Sequence, residues 1–268
     1  MANRKAVVTL AIGDHFQEMA SLTHPLISQY AKKCGADFLV FDTAKLKDRL
    51  GLVTYEKFQV FNILDGTYDQ ILFVDTDIVI TPNAPSIFDI CPPDHFGASN
   101  EVGYSMSSVH KDITQSQLGN LNWSNPYFNS GVMIFGPEHK NLFDIDSDIL
   151  NKWTSNSHNS DHVMSDQPIL NYLVNWYQFK FLDLGKNFNR TRVQTDTHNR
   201  FQSFFIHYAG PSGHRYGDRL KQIKLDSEVV SSPVNFWLSR CFPTYRKIAD
   251  RLNIDFCKYL YKKYFIGT

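Results

Sequence analysis

The chain has no net charge, few cysteines and no long apolar run, and each shortfall removes a class of protein. Its 27 Lys and Arg residues balance 27 Asp and Glu, so it lacks the basic excess that carries nonspecific nucleic-acid binding, and no nucleic-acid partner is expected. No stretch approaches the ~20 apolar residues that span a bilayer, which excludes a transmembrane enzyme. The four cysteines, Cys34, Cys91, Cys241 and Cys257, are scattered without a C-x-x-C pair or a Cys/His ligand spacing. Neither a zinc site nor a disulfide framework is indicated, and they read as reduced thiols of a cytosolic protein. The apolar stretch from Ala6 to Ile12 stops at Gly13-Asp14 without a small-residue cleavage site, so it reads as a first strand and not as a secretory signal. A cytoplasmic location is expected, and the sequons at Asn122 and Asn189 carry no weight.

What is present is enough for one globular domain: 268 residues, 43% hydrophobic and 14% aromatic, can bury a full-sized core. Strand-like runs alternate with longer helical stretches, the pattern of an α/β fold on a mostly parallel central sheet. Lys5 to Ile12 reads as a strand. Phe16 to Cys34 carries Met19, Leu22, Leu26 and Tyr30 at helical spacing, with Pro25 expected to kink or restart the helix. Ala36 to Phe41 closes a βαβ unit. A helix is predicted over 55–64 and a strand buried on both faces over 70–74. The segment 100–125 reads mostly as loops, followed by a strand over 128–135, helices at about 137–153 and 166–176, and strands near 178–183 and 203–208.

Ligands on open parallel sheets bind at the carboxyl ends of strands, and Asp75-Thr76-Asp77 sits at such an end. Two carboxylates one residue apart offer the hard oxygens that Mg²⁺ or Mn²⁺ prefers. The same tripeptide can also close a strand as a solvated turn, or open the nucleophile loop of a haloacid-dehalogenase-like phosphatase. The complete βαβ unit before it, and the absence of a clear downstream Gly-Asp…Asp pair, count against the phosphatase.

Five segments, in order, resemble glycosyltransferase family 8, the glycogenin-like retaining enzymes. Val8-Thr-Leu-Ala-Ile-Gly-Asp-His-Phe is similar to the family's first strand and nucleotide loop. Tyr68-Asp-Gln-Ile-Leu-Phe-Val-Asp-Thr-Asp-Ile-Val-Ile resembles its DxD segment. Phe128-Asn-Ser-Gly-Val, Ser165-Asp-Gln-Pro-Ile-Leu-Asn and Ile206-His-Tyr-Ala-Gly resemble its "FNSGV", "GDQxxLN" and "HFLG" motifs. The resemblance spans residues 6 to 215 and implies a GT-A fold, over residues 1–235, that moves glucose or galactose from a UDP-sugar to a glycan or related acceptor.

By that resemblance Asp75, Asp77 and His207 would ligate Mn²⁺ or Mg²⁺; His207 also reads as a core histidine after Phe204-Phe205-Ile206. Leu10, Ile12, Gly13 and Phe16 would line the nucleoside pocket, with Phe16 where glycogenin has tyrosine, or else packing under the first helix. Lys57 and Thr76 would lie near the donor phosphates and sugar, Lys57 otherwise being an exposed helix charge. Asn129, Ser130, Gly131, Asp166 and Gln167 would form the sugar end. Asp166 is the candidate to stabilise an oxocarbenium-like charge or act as nucleophile, while Asp166 and Pro168 also suit a helix N-terminus. Gly210 would belong to the diphosphate loop. The family's phosphate-gripping lysine is replaced by Gly213, leaving His214 or Arg215, preferably Arg215, to reach the phosphate; a non-catalytic UDP-sugar-binding relative is the alternative.

Residues 236–268 form a basic, aromatic helical extension, with seven Lys and Arg against two Asp in an otherwise acidic chain. Tyr245, Ile248, Leu252, Phe256, Tyr259 and Leu260 recur at helical spacing opposite Arg246, Lys247, Arg251, Lys258 and Lys262. That suits a helix lying on an anionic membrane, consistent with a lipid-linked glycan acceptor at the inner membrane face, or a terminal helix packed on the domain. Oligomeric state is left open.

Overall fold

The computed structural model describes residues 4–101, 106–155, 165–192, 197–210 and 217–252. A six-stranded sheet is built from β1 (Lys5–Leu10), β2 (Asp37–Phe41), β3 (Gln70–Val74), β5 (Phe96–Asn100), β6 (Phe128–Phe135) and β7 (Phe181–Asp183), in the order β2-β1-β3-β6-β5-β7. β6 alone runs antiparallel to both neighbours, so the sheet is mostly parallel. A smaller sheet orders β4 (Ile78–Ile80), β9 (Phe205–His207) and β8 (Arg190–Thr191) as β4-β9-β8.

Strand alternation sorts the core into layers. Ala6, Val8, Ile71 and Phe73 face one cluster, with Tyr55, Phe58, Trp153 and Leu170; Val7, Leu72 and Val74 face the other, with Ile27 and Tyr30 of α1 (Asp14–Lys33). A third cluster joins α1 to Val79 and Ile206 of the small sheet and to Ile223, Val229 and Phe236 of α6 (Arg219–Ser231) and α7 (Pro233–Cys241). The remaining helices are α2 (Lys47–Leu50), α3 (Ser107–Leu118), α4 (Asp148–Ser155), α5 (Asp166–Trp176) and α8 (Pro243–Leu252). No helix among the described residues is long and apolar enough to cross a membrane.

Five expectations need correction. α1 runs unbroken through Pro25: Pro25 and Ser21, whose carbonyl the missing N–H leaves unpaired, both lie on the exposed face, where water can serve that oxygen. The segment 100–125 read as loops contains α3, which follows the unanticipated strand β5, and the helix expected over 137–153 is a 3₁₀ turn (Pro137–Phe143) followed by α4. The helix expected over 55–64 is a 3₁₀ segment, Val53–Ile63, with residues 55–60 all buried. Arg246, expected on the solvated face of the last helix, is buried, 2.8 Å from Asp250 and 3.7 Å from Asp226. Residues 253–268, including Cys257 and most of the expected amphipathic face, lie outside the described residues, as do 211–216; Cys34, Cys91 and Cys241 are free thiols.

Candidate active site

A cleft of about 570 Å³ opens at the carboxyl ends of β1 and β3, and three elements converge on it. Where β3 ends, the Asp75 backbone N–H donates to the Gly131 carbonyl at 2.8 Å, tying Asp75 to β6. The Thr76 hydroxyl donates to Leu10 O at 2.5 Å, and the Thr76 carbonyl accepts from Thr23 of α1 at 2.7 Å. That turn is therefore fixed to β1 and α1 and is not a loose solvated loop. The β4–β9 register sets His207 opposite Ile78, and the Tyr208 N–H donates to Asp77 O at 3.0 Å, bringing the imidazole beside Asp77.

One donor atom from each of Asp75, Asp77 and His207 lies within 4.8 Å of the others. His207 Nε2 is 3.2 Å from Asp77 Oδ1 and 3.8 Å from Asp75 Oδ2, while Nδ1 is bonded to Asn189 Oδ1 at 2.7 Å. Two carboxylates and an imidazole turned Nε2-inward form a donor set that fits Mn²⁺ or Mg²⁺ with positions left for other oxygens. Burial disfavours charge on His207, but Asp77 and Asp75 outweigh it and raise the imidazole pKa. Burial likewise pushes Asp77 up, yet His207 and Arg219 hold its carboxyl below the usual range. For Asp75 burial prevails over Lys57 and His207, and its pKa is raised.

Lys57 is buried, not an exposed helix charge: its ammonium sits 2.6 Å from Asp166 Oδ2 and 3.5 Å from Asp75 Oδ1, and donates to Ser130 O and Oγ at 3.3 Å. Burial lowers its pKa, but Asp166 and Asp75 raise it further, so it stays charged. Its neighbour Glu56 anchors the 3₁₀ segment by accepting from the backbone N–H groups of Lys45, Leu46 and Lys47. Asp166 opens α5 at Ser165, where no side-chain cap forms. Its Oδ2 serves Lys57 and the Ser130 hydroxyl, 2.7 Å away, so the expected cap is absent. Gln167 accepts from Ser130 N at 3.2 Å and donates to Glu101 at 2.9 Å.

Leu10, Ile12, Phe16, Thr76, Asn129, Ser130, Gly131 and Gly210 also line the cleft. Phe16 is half-buried at the start of α1, edge-on to His15, and belongs to none of the core clusters. Gly13 does not line the cleft; with φ of 83° it turns the chain into α1. Arg215 and His214 lie outside the described residues. Three residues that sequence reasoning missed complete the site. Glu101, beyond the end of β5, accepts from Asn129 and Gln167, and burial raises its pKa against those two bonds. Arg219, in the first turn of α6, reaches Asp77 Oδ2 at 3.3 Å and His15 Nε2 at 3.2 Å. Asn189 holds His207.

The space beside the Gly131 Cα is taken by the ligand cluster itself. A Cβ there would lie 2.3 Å from His207 Cε1 and 2.9 Å from Asp75 Oδ2, closer than packed atoms can approach. Gly131→Ala is expected to displace both ligands and lower turnover by about 10²-fold, the scale of a 1 Å misplacement. Steady-state rates beside a thermal melt check this; an alanine variant at wild-type rate would refute the packing argument.

The architecture is shared with solved glycosyltransferases. The galactosyltransferase LgtC, in complex with donor and acceptor sugar analogs, superposes with a TM-score of 0.57 at 16% identity, over 88% of this chain and 99% of that one. A glycosyltransferase involved in glycosylation of the PBCV-1 major capsid gives 0.55 at 14% identity, over 84% and 98%. The apo form of the glycosyltransferase GlyE of Streptococcus pneumoniae TIGR4 gives 0.51 at 16% identity, over 89% of this chain and 64% of that one. At these identities the likeness speaks for the fold, which is GT-A. No curated protein sequence matches the chain. Residues 6–212 match the sequence model of glycosyl transferase family 8, and with more than half its length so matched the chain belongs to that family.

Proposed function

We propose that this chain is a metal-dependent, retaining hexosyltransferase that moves glucose or galactose from a UDP-sugar to a glycan or related acceptor. The observation that carries the reading is the arrangement in one cleft of the Asp75–Asp77–His207 cluster and the buried Lys57–Asp166 pair. Asp75, Asp77 and His207 would hold Mn²⁺ or Mg²⁺, which supplies Lewis-acid neutralisation of the charge developing on a leaving diphosphate. Leu10, Ile12 and Phe16 supply an apolar wall and a ring face for the uracil. Arg219, a forked donor already facing the cleft, fits a diphosphate oxygen and takes the part expected of Arg215. That cation is the observation that favours turnover over a UDP-sugar-binding relative without activity. Asp166, held by the Lys57 ammonium 2.6 Å away, is placed to stabilise positive charge on the sugar ring or to attack it, and Gln167 and Ser130 orient that carboxylate and the sugar hydroxyls. Family membership leaves the phosphatase reading without support.

The acceptor side of the proposal includes a lipid-linked glycan at the cytoplasmic membrane face. On α7, Val234 and Trp237 are 65% and 59% exposed, with Phe242 edge-on to Trp237 and Lys247 and Arg251 exposed on α8. Aromatic and basic groups together suit an anionic interface. Trp237→Ala should lower co-sedimentation with phosphatidylglycerol vesicles while leaving soluble turnover unchanged; equal sedimentation of both proteins would remove the membrane from the proposal.

The reading is tested by UDP release from a panel of UDP-sugars, with and without Mn²⁺, beside p-nitrophenyl phosphate. Slow metal-dependent hydrolysis of one UDP-hexose is expected, faster when a glycan acceptor is added. Phosphatase activity without nucleotide binding would overturn it.

A further inference from the structure

We propose that Asn189 is a positioning residue that fixes His207 in its Nδ1–H form through a directed chain of amides starting at the Gly131 backbone. The inference rests on the reading of Asp75, Asp77 and His207 as metal ligands. Which end of a side-chain amide is oxygen follows from its partners, and here backbone groups decide it. The Gly131 N–H can only donate, so the Asn129 atom 2.9 Å away is its carbonyl oxygen. That same oxygen lies 2.8 Å from the Asn189 side chain, which must therefore present its NH₂ group there. The carbonyl end of Asn189 then faces His207 Nδ1 at 2.7 Å, and the imidazole must place its hydrogen on Nδ1. Nε2 is left facing the two carboxylates, its lone pair available to a cation bound between them.

The far side of Asn129 obeys the same polarity. Its NH₂ group donates to Glu101 Oε1 at 3.0 Å, and Glu101 Oε2 accepts from Gln167 Nε2 at 2.9 Å. Gln167 is pinned in turn because its carbonyl accepts from the Ser130 N–H at 3.2 Å. Two backbone donors thus bracket the chain, with the acceptor-only carboxylate of Glu101 between them. Asn189, Asn129 and His207 are all buried, so reversing one amide would set two donors or two acceptors face to face at a cost that burial raises. A ligating histidine held through its other nitrogen has its tautomer and ring orientation fixed in advance of the metal.

The test is Mn²⁺ affinity in the absence of nucleotide, read as free Mn²⁺ by electron paramagnetic resonance, on the full chain. Asn189→Leu, similar in size but without an acceptor, should weaken binding about 10- to 100-fold. Asn189→Asp still accepts from Nδ1–H, at the cost of the bond to Asn129, and should stay within about tenfold of wild type. A role limited to packing predicts instead that both variants lose affinity alike, and that result, or wild-type affinity in Asn189→Leu, overturns the proposal. A measurement needing no variant is the ¹⁵N spectrum of His207 in the Mg²⁺-loaded protein: hydrogen on Nδ1 is expected, and hydrogen on Nε2 overturns the assignment. If wild type binds no Mn²⁺ at all, the metal reading itself has failed, and this proposal falls with it.

Discussion

Asp77→Ala is expected to lower metal-dependent UDP release by at least about 10³-fold, equivalent to about 4 kcal/mol of transition-state stabilisation. The carboxylate meets His207 Nε2 at 3.2 Å and Arg219 at 3.3 Å, so its removal takes away a ligand together with the negative charge that both the imidazole and the guanidinium contact. The turn should survive, because what ties Asp77 to β9 is its backbone carbonyl, bonded to Tyr208 N–H. Asp77→Asn separates charge from geometry: it keeps an oxygen for the cation and is expected to fall between wild type and alanine. Initial rates across a Mn²⁺ titration decide the matter. Recovery of more than a tenth of the wild-type rate by Asp77→Ala at saturating Mn²⁺ would mean that this carboxylate is not a ligand.

Much of this site is legible in the sequence because its parts sit where apolar strands end. β3, β6 and α5 fall at the predicted positions 70–74, 128–135 and 166–176, since a fully buried strand is a continuous apolar run and α5 carries proline in its first turn. Asp75 and Asp77 follow directly from the end of β3.

The rest is hidden for physical reasons. β5 reads Phe-Gly-Ala-Ser-Asn, with little β-propensity; missing it also hid Glu101, which the strand-end rule would otherwise have found. α3 buries His110 and Thr114, two polar residues, so its sequence lacks an apolar period. Asn189 and Arg219 belong to separate segments that only the fold brings to His207 and Asp77, and a lone asparagine or an arginine at a helix start carries no local signal. Arg219 reaches the cleft along α6, away from the stretch after Gly210 where the sequence directs attention, and Arg215 and His214 lie outside the described residues.

Lys57→Met is expected to lower stability by about 3–5 kcal/mol, because removing one partner leaves buried carboxylates uncompensated. With roughly 2–4 °C per kcal/mol for a chain of this size, the melting temperature should fall by roughly 6–20 °C. Methionine preserves the unbranched stem, which here brings the ammonium 5.2 Å over the Phe73 ring, so the loss reports charge more than volume. Because Lys57 sits 3.5 Å from Asp75, its cation also repels a metal and competes for the same ligand. The variant should therefore bind Mn²⁺ at least as tightly as wild type and regain part of its lost stability when Mn²⁺ is added, by mass action. Turnover should nonetheless fall by about 10²-fold or more, since Asp166 loses the partner 2.6 Å away that holds it in place. Melting curves with and without Mn²⁺, joined to rates at saturating metal, separate these effects. An unchanged melting temperature would show that Lys57 does not compensate the carboxylates, and weakened Mn²⁺ binding would show that it supports the metal cluster instead of opposing it.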